Sequence, residues 1–413
     1  MKSVVGVDLG TSYFKVGIFS LDGELLGLGR VPAPTLCDGD MRTIDAKSFW
    51  HSLHEAMDMA TNAAGISGRD IQAVSYSSQA NTFILLDRND QPLTPLISWS
   101  DKRVRNIDDS LRRLFAEDDF LSTTGIGNDC SGGLALAKLM WIRKNEPGIW
   151  RRVDKVMSIS DYLVYALTGV RGGDESTAQM LAMWDVPNRR WWRRGLACVG
   201  LDEDMLSTPS RSGEVITTTS SAGLLGLSPG VPLVAGTLDH HASAIGAGLG
   251  QIAQVAESTG TVQACICYCD SFRPLAGCCV AAGVGDKYYR LAFDNYGASM
   301  LEQYQRNHAP EISIDQLVLL AQRAHEGAPA GPHGAPVLEI MNKNAQIVQK
   351  LIDRLCDHDM PAKVVSSGGG AKSQFWLRLK TELIGSEFIA TKNTENASKG
   401  AAMLAARAVC DCF

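Results

Sequence analysis

Val4-Val5-Gly6-Val7-Asp8-Leu9-Gly10-Thr11-Ser12, running on into Phe14 to Ser20, is the stretch on which the fold turns. Val4 to Asp8 is a β-branched, apolar run that ends on a carboxylate, Leu9-Gly10-Thr11-Ser12 supplies a turn, and Phe14 to Ser20 reads as the returning strand. Asp22-Gly23 is then a strong hairpin signal leading into Glu24-Leu25-Leu26. About 250 positions later the pattern returns, with Gly10-Thr11 falling on Gly260-Thr261. Ala253 to Glu257 is the strand there, Ser258-Thr259-Gly260-Thr261 the turn, and Val262 to Cys269 the next strand. Two such units, far apart in one chain, predict duplicated halves facing one another across a cleft.

The turns also carry chemistry. Glycine lets backbone N–H groups approach a phosphate with no Cβ in the way, and the hydroxyls of Thr11 and Ser12 add donors. Asp8, at the end of its strand, is an oxygen ligand suited to magnesium held through water, and Lys15 can add positive charge or simply occupy a strand edge. A plain hairpin turn is the alternative for either copy alone. A third glycine-rich loop, Ser366 to Ser373, follows the strand Lys363-Val364-Val365 and opens a helix with Trp376, Leu379 and Leu383 on one face. Gly369, Gly370, Ala371 and Lys372 there let a nucleotide lie close to the backbone near a helix N-terminus, or make a simple tight turn. The spacing is that of neither a P-loop nor a dinucleotide fingerprint.

Around these loops the chain alternates strands and helices, which predicts an α/β fold. Ser48 to Ala64 reads as a helix, Ile71 to Tyr76 as a buried strand, and Leu134 to Asn145 as a helix with Leu136, Leu139 and Met140 on one face. Thr217 to Ser221 reads as a loop. At 413 residues the chain exceeds one ordinary core, and a cut near the strand Leu233-Val234-Ala235 gives domains of 1–244 and 245–413.

With 45% hydrophobic and 20% charged residues the composition is globular, and a net charge of -6 provides no basic field for nucleic acid or an anionic membrane. No apolar run of about 18 residues occurs, and Met1-Lys2-Ser3 leads straight into a strand, so the chain is expected in the cytoplasm. Cys265, Cys267 and Cys269 alternate on one face of a strand, where small apolar packing suits them better than zinc, which favours Cys-x-x-Cys pairs at turns.

Taken in order along the chain, the motifs resemble those of the FGGY family of carbohydrate kinases, of the xylulokinase, glycerol kinase and gluconokinase type. The segments concerned are Asp8 to Ser12, Ser78-Gln79, Ile97 to Arg103, Lys138 to Trp141, Asp161-Tyr162-Leu163 with Leu167-Thr168-Gly169, Ala235 to Asp239, Gly260-Thr261, Gly368 to Ser373 and Lys399 to Ala402. The resemblance implies two ribonuclease-H-like domains of the actin-like ATPase class closing on ATP, with magnesium, and a small sugar or polyol. It places the catalytic base on Asp239, which on physical grounds is suited to accept a hydroxyl proton and is equally suited to cap the helix from His240 to Ala247. ATP falls to Asp8, Gly10, Thr11, Ser12, Lys15, Gly260, Thr261, Gly369, Gly370, Ala371 and Lys372. Sugar contacts fall to Gln79, Ala80, Asn81, Trp99, Asp101, Asp239 and His240, with Trp99 covering a sugar face or belonging to the core.

Departures narrow the substrate. Gln79-Ala80-Asn81-Thr82 stands where xylulokinases have Gln-Met-His-Gly, and Asp239-His240-His241 where they have Asp-Asn-Ala. Between His325 and Glu339 the chain is short for the family and offers only a turn-rich bridge, Glu326 to Gly334, before a helix expected near Val337. Two other readings therefore stand beside the kinase: a catalytically impaired sugar- or nucleotide-binding relative, and an actin-like ATPase with no sugar substrate. A homodimer is compatible with the sequence.

Overall fold

The computed structural model describes residues 2–127, 130–220, 223–260, 262–357, 359–392 and 394–410. The chain divides into two compact units. One comprises Met1–Gly246, Asp270–Tyr288 and Glu395–Phe413, and the other Ala247–Cys269 and Tyr289–Thr394. The expected cut after residue 244 thus lies two residues from the first boundary, but two later segments return to the first unit.

The first unit is built on a sheet whose central member is Ser3–Leu9, buried along its whole length as its near-continuous apolar sequence requires. It pairs antiparallel with Tyr13–Ser20, with Asp8 opposite Lys15, and parallel with Ile71–Ser78. Leu25–Pro32 extends one side, while Pro232–Val234 and Val215–Thr218 extend the other. Val215–Thr218 corrects the loop expected at Thr217. Val215, Ile216, Thr217 and Thr218 are all β-branched and suit a strand, and their half-exposed run occupies a sheet edge.

Helices cover both faces. Ala46–Ala64, capped by Asp45 through its bonds to Lys47 N and Ser48 N, lies on one side. Its approach is so close that a Cβ on Gly29 would stand 1.7 Å from Ala56 O. On the other side lies Asn396–Ala406, which brings Ala402, Ala405 and Ala406 onto Val4, Phe19 and Ala73. Here Gly6 is the residue that permits contact, since a Cβ would meet Ser398 O at 1.9 Å. A smaller sheet of the same unit carries Phe83–Leu86 and Leu96–Ile97, and the helix Ala135–Asn145 belongs to the core behind it.

The second unit repeats the opening motif. Val255–Thr259 pairs antiparallel with Gln263–Cys269 and parallel with Lys363–Gly368, which in turn pairs with Glu387–Ala390. Its helices bury Leu317, Val337, Met341, Phe375, Trp376 and Leu379 in one cluster. Leu383 is not among them: it is exposed, because the buried stripe of Gln374–Ile384 runs through Phe375, Trp376, Leu379 and Lys380 instead. The helix expected near Val337 begins six residues earlier and spans Gly331–Leu355, with Pro332 in its first turn, where a missing N–H costs nothing. The bridge from His325 is correspondingly shorter than the sequence implied. Cys265 and Cys267 are buried, and the Cys267 thiol donates to Leu355 O at 3.7 Å. No helix among the described residues is long and apolar enough to cross a membrane.

Candidate active site

Three parallel strands end level with one another in the first unit. Ile71–Ser78 has Ser3–Leu9 on one side and Thr237–Leu238 on the other, so Leu9, Ser78 and Leu238 stand in register. The next residues along each, Gly10, Gln79 and Asp239, are delivered to the same carboxyl end, which is where open α/β sheets gather ligands. Asp8 lies one residue behind this line. It is 5% exposed, its Oδ1 accepts from Ser77 Oγ at 3.0 Å, and its Oδ2 is 3.7 Å from Lys15 Nζ. Lys15 also pairs with Glu395 at 2.8 Å. Because Tyr13–Ser20 has sheet neighbours on both sides, Lys15 is not at a strand edge. Burial pushes the Asp8 carboxyl up, Lys15 and Ser77 hold it down, and Asp239 and Glu395 add to the rise, for a pKa of about 6.

Asp239 is half-buried and is the first residue of the helix Asp239–Ala247, not the residue before it. Its Oδ1 accepts from His240 N at 2.7 Å. His240 is exposed. His241 is buried beside Thr237 Oγ1, 3.2 Å from its Nδ1, and burial together with the neighbouring His240 lowers its pKa to about 3, so it packs as a neutral ring.

The loop residues fall into two groups. Gln79 is buried. Its Nε2 donates to Gly10 O at 3.4 Å, while its Oε1 is buried and accepts from none of the described residues. Trp99 is 46% exposed, which removes the core alternative, and its Nε1 donates to Thr11 Oγ1 at 2.8 Å. Lys138, fully buried, holds that loop by donating to Ser98 O, Trp99 O and Gly133 O at 2.8, 2.9 and 3.0 Å. Thr11 and Ser12 are exposed, and Ala80 is half-buried.

Asp101, by contrast, spends both carboxylate oxygens on the protein, and Asn81 its side-chain oxygen. Asn81, at a φ of 54°, accepts from Ala135 N at 2.9 Å and so caps a helix whose own N-cap residue, Leu134, has no side chain for the task. Both Asp101 oxygens are engaged, by Arg103 and by Arg42 N, and burial, which raises its pKa, is outweighed by these bonds. Ser77, Lys138 and Glu395 complete the arrangement. Glu395 could not have been found from sequence, because nothing local marks a residue that returns from the far end of the chain.

In the second unit Gly260 follows Val255–Thr259, and Ala298 N donates to its carbonyl at 2.6 Å. Thr261 lies outside the described residues. Gly369 is exposed, Gly370 and Ala371 are buried, and Lys372 is exposed. The glycines do not open the helix directly: Gly370–Lys372 forms a single tight turn, and Ser373 then caps Gln374–Ile384 by accepting from Trp376 N at 3.1 Å. A Cβ on Gly370 would meet Thr259 Cγ2 at 2.7 Å, whereas one on Gly369 has only Thr259 O, at 4.0 Å.

Residues 3–246 match the model of the FGGY family of carbohydrate kinases, N-terminal domain. The chain belongs to the FGGY family. It is a carbohydrate kinase, a phosphotransferase with an alcohol group as acceptor. Among curated proteins it is 24% identical to a xylulose kinase of Bacillus subtilis, over 98% of this chain and 88% of that one. It is 29% identical to an autoinducer-2 kinase of Klebsiella pneumoniae, over 63% of this chain and 50% of that one. Among solved structures, a ligand-bound xylulose kinase from Lactobacillus acidophilus superposes with a TM-score of 0.87 at 18% identity, covering 99% of this chain and 90% of that one. A Plasmodium falciparum glycerol kinase with ADP gives 0.84 at 16% identity, covering 98% and 89%. At these identities the likeness establishes the fold, an α/β kinase of two ribonuclease-H-like domains of the actin-like class.

Proposed function

We propose that this FGGY kinase transfers the terminal phosphoryl group of ATP to a hydroxyl of a small sugar or polyol, with Asp239 as the general base. The observation that carries the reading is the juxtaposition of two carboxylates at the level ends of three parallel strands, one buried and one open. Asp239, half-exposed at a helix start, is the carboxylate a substrate hydroxyl can reach. Accepting the proton as the O–P bond forms leaves the sugar oxygen nucleophilic and the aspartate neutral. Asp8 is the better candidate for magnesium. It offers hard oxygen, already sits beside a second carboxylate, and has its pKa raised by burial to about 6, a shift that a divalent cation would reverse. Magnesium bound there would neutralise the phosphates and align them with the acceptor.

Thr11, Ser12 and the backbone at Gly10 are assigned to phosphate, as are Gly260 and Thr261 of the second unit, with Gly369 to Lys372 at the nucleoside end. Among the sugar residues, Gln79 and Trp99 keep that assignment on the strength of an unengaged buried carbonyl oxygen and an exposed ring. Ala80 follows Gln79 on its loop and His240 follows Asp239 in its helix, and both keep the assignment by that adjacency. Asn81 and Asp101 are reassigned to holding the loops. The xylulose kinase relatives support a small sugar as the acceptor.

ADP release measured across ketoses, aldonates and polyols tests the reading. A hydroxyl-dependent burst is expected, whereas ADP release indifferent to every acceptor would favour the ATPase alternative. Asp239→Asn should lower turnover by about 10²–10⁴ while leaving ADP affinity near wild type. Retention of more than about a tenth of wild-type turnover would remove Asp239 from the chemistry.

A further inference from the structure

Lys380 and Glu257 are both fully buried in the second unit, 2.9 Å apart. Burying such a pair brings little net stability, since the cost of removing two charges from water offsets their attraction. What the pair holds is therefore more informative than what it weighs. Lys380 Nζ also donates to Thr259 Oγ1 at 2.7 Å, and the Thr259 hydroxyl donates in turn to Glu257. Gln263 Nε2 donates to Glu257 Oε1 at 2.6 Å and to Ser258 O at 3.2 Å, and Asn344 Nδ2 donates to Gln263 Oε1 at 3.0 Å. Burial pushes the Glu257 carboxyl up, but Lys380 and the Thr259 hydroxyl outweigh it and hold it below its ordinary range.

The network brackets one turn. Thr259 precedes Gly260 directly, and Gln263 opens the strand that follows it. Thr259 is also the surface on which the glycine run rests, because a Cβ on Gly368 would lie 2.6 Å from Thr259 O and one on Gly370 2.7 Å from Thr259 Cγ2. Ser367 Oγ ties the same run to Glu257 O at 3.2 Å. A single ammonium group, on the helix that follows the glycines, thus sets Thr259, and Thr259 sets the spacing of both loops.

We propose that Lys380, acting with Glu257 through Thr259, is a positioning residue for the nucleotide: it fixes the turn at Gly260 against Gly368 to Gly370 at the separation that ATP requires. The inference rests on the reading of those two loops as a nucleotide site. Lys380 touches no reacting atom, and the residues around the acceptor all lie in the other unit, so its loss should be felt on one substrate only.

The test uses the full chain carrying Glu257→Gln with Lys380→Met, which removes the ammonium without leaving a buried charge unpaired. The expected result is a rise of about 10- to 100-fold in the ATP Michaelis constant and a matching loss of ADP affinity by calorimetry. The sugar Michaelis constant should stay within about twofold. Gly369→Val is the control, since a Cβ there has only Thr259 O within reach, at 4.0 Å, and the added bulk is directed at a nucleotide's space. If Gly369→Val weakens ATP and the double variant does not, or if the double variant shifts both Michaelis constants alike, the positioning role is overturned. If Gly369→Val leaves ATP binding intact, the nucleotide reading of these loops fails and takes the proposal with it. Should the double variant not fold, Thr259→Val, which removes the hydroxyl at nearly constant shape, carries the same expectation and the same two contrary outcomes.

Discussion

Asp8 is a carboxyl group that the fold burdens. Burial raises its pKa to about 6, assisted by Asp239 and Glu395 and opposed by Lys15 and Ser77. A carboxyl whose folded pKa exceeds its unfolded value favours the folded state below the unfolded pKa, and that contribution is lost as the pH rises through the folded one. At pH 8 the ionised Asp8 should therefore cost on the order of 2–3 kcal/mol. Asp8→Asn is expected to melt several degrees higher than wild type at pH 8, with the gap closing as the pH falls through about 6 and gone below the unfolded value of 3.8. The same substitution should abolish turnover, and wild-type kcat/KM for magnesium–ATP should show an acid limb near pH 6. A gap that is constant with pH would mean that Asp8 does not titrate there. Stability surrendered at a site in this way is what a functional carboxylate entails.

At the scale of elements, the helix Ala135–Asn145 matters less for its length than for the one lysine it sends inward. Lys138 serves three carbonyls on two separate loops, and burial lowers its pKa to about 8. Lys138→Met keeps the stem and takes the ammonium donor from Trp99 O and Gly133 O, while Ser98 O keeps only the Asp101 N–H, at a cost of roughly 1–3 kcal/mol for a buried acceptor left unmade. The Trp99 loop should loosen, so the sugar Michaelis constant is expected to rise several-fold more than that of ATP, read in one steady-state series. Equal effects would confine Lys138 to stability.

Both strand–turn–strand units were legible at this scale, because an apolar run broken by Gly-Thr has few other ways to fold. Lys138 was legible only as part of a motif, since nothing in Lys-Leu-Met-Trp says that the lysine points inward. Val215–Thr218 was not legible, because its second half runs into the polar stretch Thr217 to Ser221, which on its own signals a loop. The start of Gly331–Leu355 was hidden by Gly331, Pro332, Gly334 and Pro336, residues that usually break helices and here sit in or near a first turn. Asp101 looked available for a hydroxyl because sequence shows a carboxylate but not the Arg103 that engages it.

For the whole molecule, the decisive fact is that the first unit is discontinuous. Asn396–Ala406 lies on the same sheet as Val4 and Phe19, and Glu395 holds Lys15. Gln179 Nε2 likewise donates to Val280 O at 2.8 Å, within a segment that returns from residues 270–288. A fragment ending at Gly246 should therefore fail to fold on its own despite matching a family domain at residues 3–246. Expressed alone it is expected to aggregate or to give a broad, non-cooperative melt, and a sharp transition comparable to that of the full chain would contradict this. The sequence pointed to a simple cut because hydrophobic patterning identifies elements but does not say which sheet a distant helix covers.

That discontinuity has a consequence for birth on the ribosome. About 150 residues separate Gly246 from Asn396, and at roughly 5–20 residues per second they take on the order of ten to thirty seconds to emerge. Throughout that interval the sheet around Ser3–Leu9 has one face without its covering helix, with Val4, Phe19 and Ala73 open to whatever is nearby. The nascent protein thus depends on being sheltered while it is made, and its rate of synthesis, more than its final stability, should govern how much reaches the native state in the cell.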